Sequence, residues 1–161
     1  MLQELVGPKI GYEVLPLAVA NEITNFPKEW HRTWEGYGKR AASQYGQFVL
    51  LETLEYSVAE IHHEDLRYVP SARSGVWRRA VDSIGHTFVV PSTNSDSRTL
   101  ALGPIVGSYA SWAIATTWYP ERLHTPGNVF LYGSVNMAGV IGSNLVREFW
   151  PDLRRKYFHR K

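Results

Sequence analysis

The chain contains no cysteine. That excludes disulfide-stapled scaffolds, thiolate zinc ribbons and thiol catalysis, and it leaves the redox compartment unconstrained. Charge of one sign is also scarce. Seventeen Lys and Arg against 15 Asp and Glu leave a net charge of +2, too little to argue for nucleic acid, so no nucleic-acid partner is expected. No Asn-Gly or Asp-Gly dipeptide and no run of two-residue alternation occurs, so hairpins are not signalled. The stretch MLQELVGPKIGYEVLPLAVANEI has no basic region ahead of its apolar run, and no export leader is expected from it. A G-x-S-x-G elbow is absent. The GYG at Gly36 and Gly38 lies in a helical pattern rather than after a strand, which excludes a phosphate loop.

What is present is apolar, aromatic and helical in period. With 161 residues, 44% hydrophobic and 20% charged, the chain is long enough for one domain with a core. We expect an all-α, single-domain bundle of about five helices over 1–161, ending in a basic tail, 152–161. The first helix is expected over Lys9–Thr24, interrupted at Pro16. The second runs from Pro27 to Asp65, the third from Val76 to Val89, the fourth from Arg98 to Tyr119 with Ser97 or Asp96 as its N-cap, and the fifth from Val129 to Phe149, extended beyond a kink at Pro151.

Three of these helices share a device. Small residues recur every fourth position: Gly38, Ala42 and Gly46 in the second, Gly103, Gly107, Ser111 and Ala115 in the fourth, and Ser134, Ala138 and Gly142 in the fifth. Glycine costs a helix roughly 1 kcal/mol relative to alanine, so its recurrence on one face implies close approach of a second backbone, as in a glycine zipper. Helices two, four and five are therefore expected in contact, with four and five antiparallel. The second helix also carries a heptad-like seam, Leu51, Leu54, Val58 and Ile61.

Leu100–Tyr119 and Gly127–Val146 are each twenty residues without charge, about the thickness of a bilayer core as helix. Trp118 and Tyr119 end one, and Phe149 and Trp150 follow the other. Arg98, Arg147, Arg154, Arg155 and Lys156 gather at the opposite ends from the connection, the asymmetry expected of two membrane spans. Asn128, Asn136, Asn144 and Pro104 weaken both runs, and small residues also serve soluble bundles. Two readings stand open: an integral hairpin, or a soluble or peripheral bundle.

Chemistry is signalled faintly. EIHH and ERLH place Glu60 with His63 and Glu121 with His124 three apart, the spacing of a di-metal carboxylate bundle, to which Glu52, Glu55 or Glu148 would add further ligands. Such a site, with Glu64 nearby, would take Fe, Mn or Zn. In IHHEDLRY the competing reading is structural: the histidines serve the carboxylates and the helix end, and Arg67 pairs with Asp65 or Glu64. VWRR offers Trp77, Arg78 and Arg79, and the tail offers Arg154, Arg155 and Lys156, as contacts for a lipid head group or other anion.

At HEDLRY (63–68), VWRR (76–79), HTFV (86–89), WYPERL (118–123) and REFWPDLRRK (147–156) the chain resembles a group of small uncharacterised bacterial helical proteins. The resemblance implies one helical domain, often behind an export signal, and brings no activity or catalytic residue with it. The expectation is thus a non-enzymatic, membrane- or envelope-associated helical assembly protein with no cofactor, with membrane lipid or copies of itself as partners. The rivals are a soluble metal-binding helical-bundle enzyme and a self-assembling structural subunit. A bacterial membrane or envelope is favoured over the cytoplasm.

Overall fold

The computed structural model describes residues 15–158, with side chains described for 19–155. The chain is an all-α bundle with one small hairpin. Helix α1 is Leu15–Thr24, α2 Trp34–Ile61, α3 Val76–Phe88, α4 Leu102–Ala115 and α5 Pro126–Phe158. Antiparallel strands β1 (Val89–Pro91) and β2 (Arg98–Leu100) lie between α3 and α4. The expected residues 9–14 of the first helix and 159–161 of the tail lie outside the described part. Helix α5 continues through Pro151.

Helix α4 is the middle layer. Its residues Gly103 and Gly107 meet Ala59, Glu55 and Leu51 of α2 in descending order, so those helices are antiparallel. On its other side Ser108, Tyr109 and Trp112 meet Met137, Ser134 and Tyr132, so α4 and α5 are antiparallel as well. Gly103, Gly107, Ser111 and Ala115 are all buried. A Cβ on Gly107 would lie 3.1 Å from the Leu51 carbonyl oxygen, and one on Gly103 would lie 2.7 Å from that of Glu55. The two backbones approach because nothing stands between them.

The other two small-residue stripes do not pack this way. Gly38 and Ala42 are exposed, and a Cβ added at Gly46 would meet only the Trp118 ring, at an ordinary 3.8 Å. The buried face of this half of α2 is polar instead: Gly36, Arg40, Ser43 and Gln47. Arg40 sets that choice. Its five N–H groups donate to the carbonyls of Phe26, Pro27 and His31, to Glu22 and to Asn25, at 2.7–3.0 Å, and so tie the α1–α2 connection to the helix. Gly36 faces the Trp30 and His31 carbonyls, which leave no room for a side chain. On α5, Ala138 is exposed and Gly142 has open space beside it. The close contact falls to Gly133, against the Tyr109 ring, while Ser134 reaches α4 only through the Tyr109 hydroxyl at 3.1 Å. The heptad seam is half-buried at Leu51, Leu54 and Val58 and exposed at Ile61.

Two boundaries also differ from expectation. The hairpin occupies 89–100, its strands too short to show alternation. Helix α4 then starts at Leu102 rather than Arg98, so neither Ser97 nor Asp96 caps it. Fourteen residues make α4 roughly 20 Å long, too short for a bilayer core of about 30 Å. Among the described residues one helix, α5, is long and apolar enough to cross a membrane.

One end of the bundle is closed by aromatic rings. Trp112 stacks on Tyr132 at 4.3 Å between centroids, and Tyr119 lies 5.1 Å from Trp30 and 5.2 Å from Trp112. The buried Tyr119 hydroxyl accepts a hydrogen bond from Gln47 at 2.7 Å. Gly107→Leu would drive a branched side chain into the α2 backbone. We expect a loss of about 3 kcal/mol in thermal or denaturant unfolding, whereas Gly142→Leu leaves the fold as stable as before.

Candidate functional site

The buried polar residues organise the remainder of the molecule. Helix α2 ends in a Schellman turn. His63 adopts φ +58°, its N–H donates to the Glu60 carbonyl, and the Glu64 N–H donates to that of Ala59 at 2.8 Å. His63 thus stands where glycine is usual, as the turn residue. The turn swings Glu64 under the start of α4. Its carboxylate, with no exposed side-chain surface, accepts from the Leu102 N–H at 2.8 Å and the Gly103 N–H at 3.0 Å. No residue adjacent to α4 caps it, and a carboxylate 38 positions earlier does so, where the helix dipole favours negative charge. His62 adds a contact of 2.9 Å to the same carboxylate.

A second buried carboxylate, Glu148 of α5, accepts from the Tyr68 hydroxyl at 2.6 Å, the Ser71 N–H at 3.0 Å and the Arg79 Nε at 2.6 Å. Arg79 also donates to the Glu148 carbonyl and to Asp152. Burial, then the Glu148 carboxylate, push the Tyr68 hydroxyl up to about 12, so it remains a donor at every physiological pH. Further along, Asn144 donates to the Thr87 hydroxyl at 3.1 Å.

These bonds turn α3 inside out. Its inward face is Arg79, Asp82, Ser83, His86 and Thr87. Trp77, Val81, Ile84 and Phe88, which share the opposite face at helical spacing, are exposed, Trp77 by 79%. Helix α5 repeats the inversion. It buries Gly133, Met137, Asn144 and Glu148, while Leu131, Val135, Val146, Trp150 and Leu153 form an outward stripe. Its Pro126–Arg155 portion is the only helix among the described residues long and apolar enough to cross a membrane, yet just 17% of its most apolar window is buried. Among the described residues, eleven polar or charged side chains are buried against nine hydrophobic ones, and twenty-two large hydrophobic side chains are exposed.

The expected metal ligands do not converge. Glu60, His63 and Glu64 sit at the start of α4, and Glu121 and His124 lie in the connection beyond its far end. His124 is bonded to the Tyr119 carbonyl at 2.7 Å. Among the described residues no three His, Asp or Glu side chains gather as a metal-holding group. Of the further carboxylates considered, Glu148 is committed to Arg79 and Tyr68, Glu52 is buried in α2, and Glu55 backs Gly107. Arg67 pairs with Asp65 through two N–H groups, at 2.9 and 2.8 Å. Of the expected anion contacts, Trp77, Arg78, Arg154 and Arg155 are exposed, but Arg79 points inward and is spent on Glu148 and Asp152. Lys156 lies in α5 beyond the described side chains.

Beside the Glu64 turn is an open cleft of about 310 Å³, walled by the last turns of α2 (Tyr56, Glu60), the following loop (Leu66, Tyr68) and Arg147 of α5. Sequence reasoning noted Glu60 as a metal ligand and Arg147 as a basic end of an apolar run, and did not place them in one cleft, because 87 residues separate them. No family model matches the chain, and no curated protein or solved structure is significantly similar to it.

The two carboxylates make separable predictions. Glu148→Ala leaves the Tyr68 hydroxyl and the Ser71 N–H without their acceptor, while Arg79 keeps Asp152 and the carbonyl of residue 148, and should cost about 2–3 kcal/mol of unfolding free energy. Glu64→Ala removes a helix cap and should cost about 1–2 kcal/mol. Denaturant midpoints read by circular dichroism measure both.

Proposed function

We propose that this chain is a non-enzymatic, membrane-associated helical assembly protein that lays the outer faces of α3 and α5 in one leaflet and keeps α2 toward water. The observation that carries this reading is the inverted polarity of α3: its polar face is inside and Trp77, Val81, Ile84 and Phe88 are outside. Fully burying one such side chain is worth about 1.5–3 kcal/mol. Left in water, the partly exposed stripes of α3 and α5 together forgo on the order of 10 kcal/mol, as much as the whole stability of an ordinary domain. In acyl chains the same surface costs nothing, and the rule that polar groups turn inward and pair is the one membrane bundles obey.

Charge distribution fits this placement. Exposed Glu35, Lys39 and Glu60 lie on α2. The α5 stripe carries no charge until Arg147, and Trp150, Arg154 and Arg155 follow, an aromatic and basic border suited to the head-group layer.

Flotation with phosphatidylcholine–phosphatidylglycerol vesicles tests the reading. The protein should float, resist a high-salt wash and come free in detergent. Val135→Glu with Val81→Glu should reduce flotation at least tenfold while leaving the helical circular dichroism intact. Release by salt alone would reject insertion of the apolar faces. A monomer that stays in solution would reject membrane association altogether, and an oligomer in detergent-free buffer that shields α5 would show that copies of the chain, not lipid, cover the stripe.

A further inference from the structure

We propose that the cleft between the end of α2 and Arg147 of α5 binds a zwitterion that joins a primary ammonium to a phosphodiester, the chemistry of a phosphoethanolamine head group. As a lipid site, this rests on the membrane reading above.

The argument starts from which charges in the cleft are already used. Glu64 is committed to the α4 N–H pair and His62, and Asp65 accepts from the Nε and Nη2 groups of Arg67. Two charges remain, the Glu60 carboxylate from α2 and the Arg147 guanidinium from α5. Both are exposed, and neither has an ion-pair partner among the described residues. They share one cleft of about 310 Å³ without meeting, which is room for a small molecule of opposite charges at its two ends.

The two groups differ in what they select. An ammonium offers three N–H donors to a carboxylate, whereas a choline nitrogen offers none. A guanidinium matches phosphate oxygens with two parallel N–H groups, where lysine would act only as a point charge. A lone cation or a lone anion gains a contact at one of these groups, whereas a zwitterion gains one at each, so the cleft favours a ligand that brings both charges. Tyr56, Leu66 and Tyr68 supply the walls against which the short carbon linker lies. The position suits a lipid source. Arg147 directly follows Val146 of the outward stripe and precedes Trp150, so one wall of the cleft stands at the basic end of that stripe.

The probe is soluble glycerophosphoethanolamine, titrated into the full chain and followed by calorimetry and by backbone amide shifts at Glu60, Leu66 and Arg147. Saturable binding is expected, at least tenfold tighter than glycerophosphocholine, glycerophosphoglycerol or ethanolamine. Glu60→Gln and Arg147→Gln, both at exposed positions, should each weaken it at least tenfold with unchanged thermal unfolding. Failure of the probe to saturate, equal binding of the choline analogue, or wild-type affinity in both variants would overturn the proposal. Vesicles then separate the sources. Flotation that rises when phosphatidylethanolamine is added, and does not rise for Arg147→Gln, assigns the lipid head group. Saturable binding of the soluble probe without that dependence rejects the lipid source and leaves a free phosphoethanolamine compound as the ligand. Flotation on vesicles lacking phosphatidylethanolamine reports the apolar faces alone, so the membrane reading and the cleft fail independently.

Discussion

A carboxylate sealed from water has to be matched by donors, and two of them, Glu64 and Glu148, determine how this chain is tied together. Glu64 fixes the start of α4 to the end of α2, and Glu148 fixes α5 to α3 and to the loop that follows α2. Each link joins segments distant in sequence, and each fails by leaving a buried charge without a partner, which costs more than the intact pair contributes. Five short blocks of the sequence hold the ends of these ties and of the aromatic closure. HEDLRY holds Glu64 and Tyr68, VWRR holds Arg79, HTFV holds Thr87, WYPERL holds Tyr119 and Leu123, and REFWPD holds Glu148 and Asp152.

The small residues of α4 complement the ties. Gly103 brings α4 within reach of Glu64 because no side chain intervenes, and its own N–H is one of the two that the carboxylate accepts. Close packing and capping are therefore one feature: a larger residue at 103 would push the helix off α2 and pull the N–H groups from their acceptor. Further down, Gly107 and Ser111 keep the same interval, and Ala115 delivers the chain to the ring cluster around Trp112 and Tyr119.

Helix content, the antiparallel α4–α5 pair and the small-residue face of α4 were legible in the sequence, because a four-residue interval inside an uncharged run leaves few alternatives. The same interval misled in α2 and α5. Spacing tells which residues share a face, not which way the face points. In α2 the direction was set by Arg40, whose acceptors are carbonyls of a connection that periodicity does not describe. The β hairpin was invisible because three residues cannot display alternation. The start of α4 was misplaced because its cap comes from Glu64, far upstream. His63 and Glu64 drew notice as metal ligands for the polarity that in fact suits one to a left-handed turn and the other to a helix end.

Direction is also what makes α3 informative. An amphipathic helix normally buries its apolar stripe, and the gain from doing so outweighs the roughly 0.5–1.5 kcal/mol that a typical neutral hydrogen bond nets. Here the bonds of Arg79 to Glu148 and of Asn144 to Thr87 hold the polar stripe inward instead. In water the partly exposed Trp77, Val81, Ile84 and Phe88 leave that gain incomplete. Beside hydrocarbon the comparison reverses: apolar surface gains nothing from turning inward, and an unpaired guanidinium or carboxylate becomes the dominant cost. On the membrane reading proposed above, the polarity of α3 reports the medium on its outer side, and α5 shares it, burying Gly133, Asn144 and Glu148 with Met137 and exposing Leu131, Val135 and Val146.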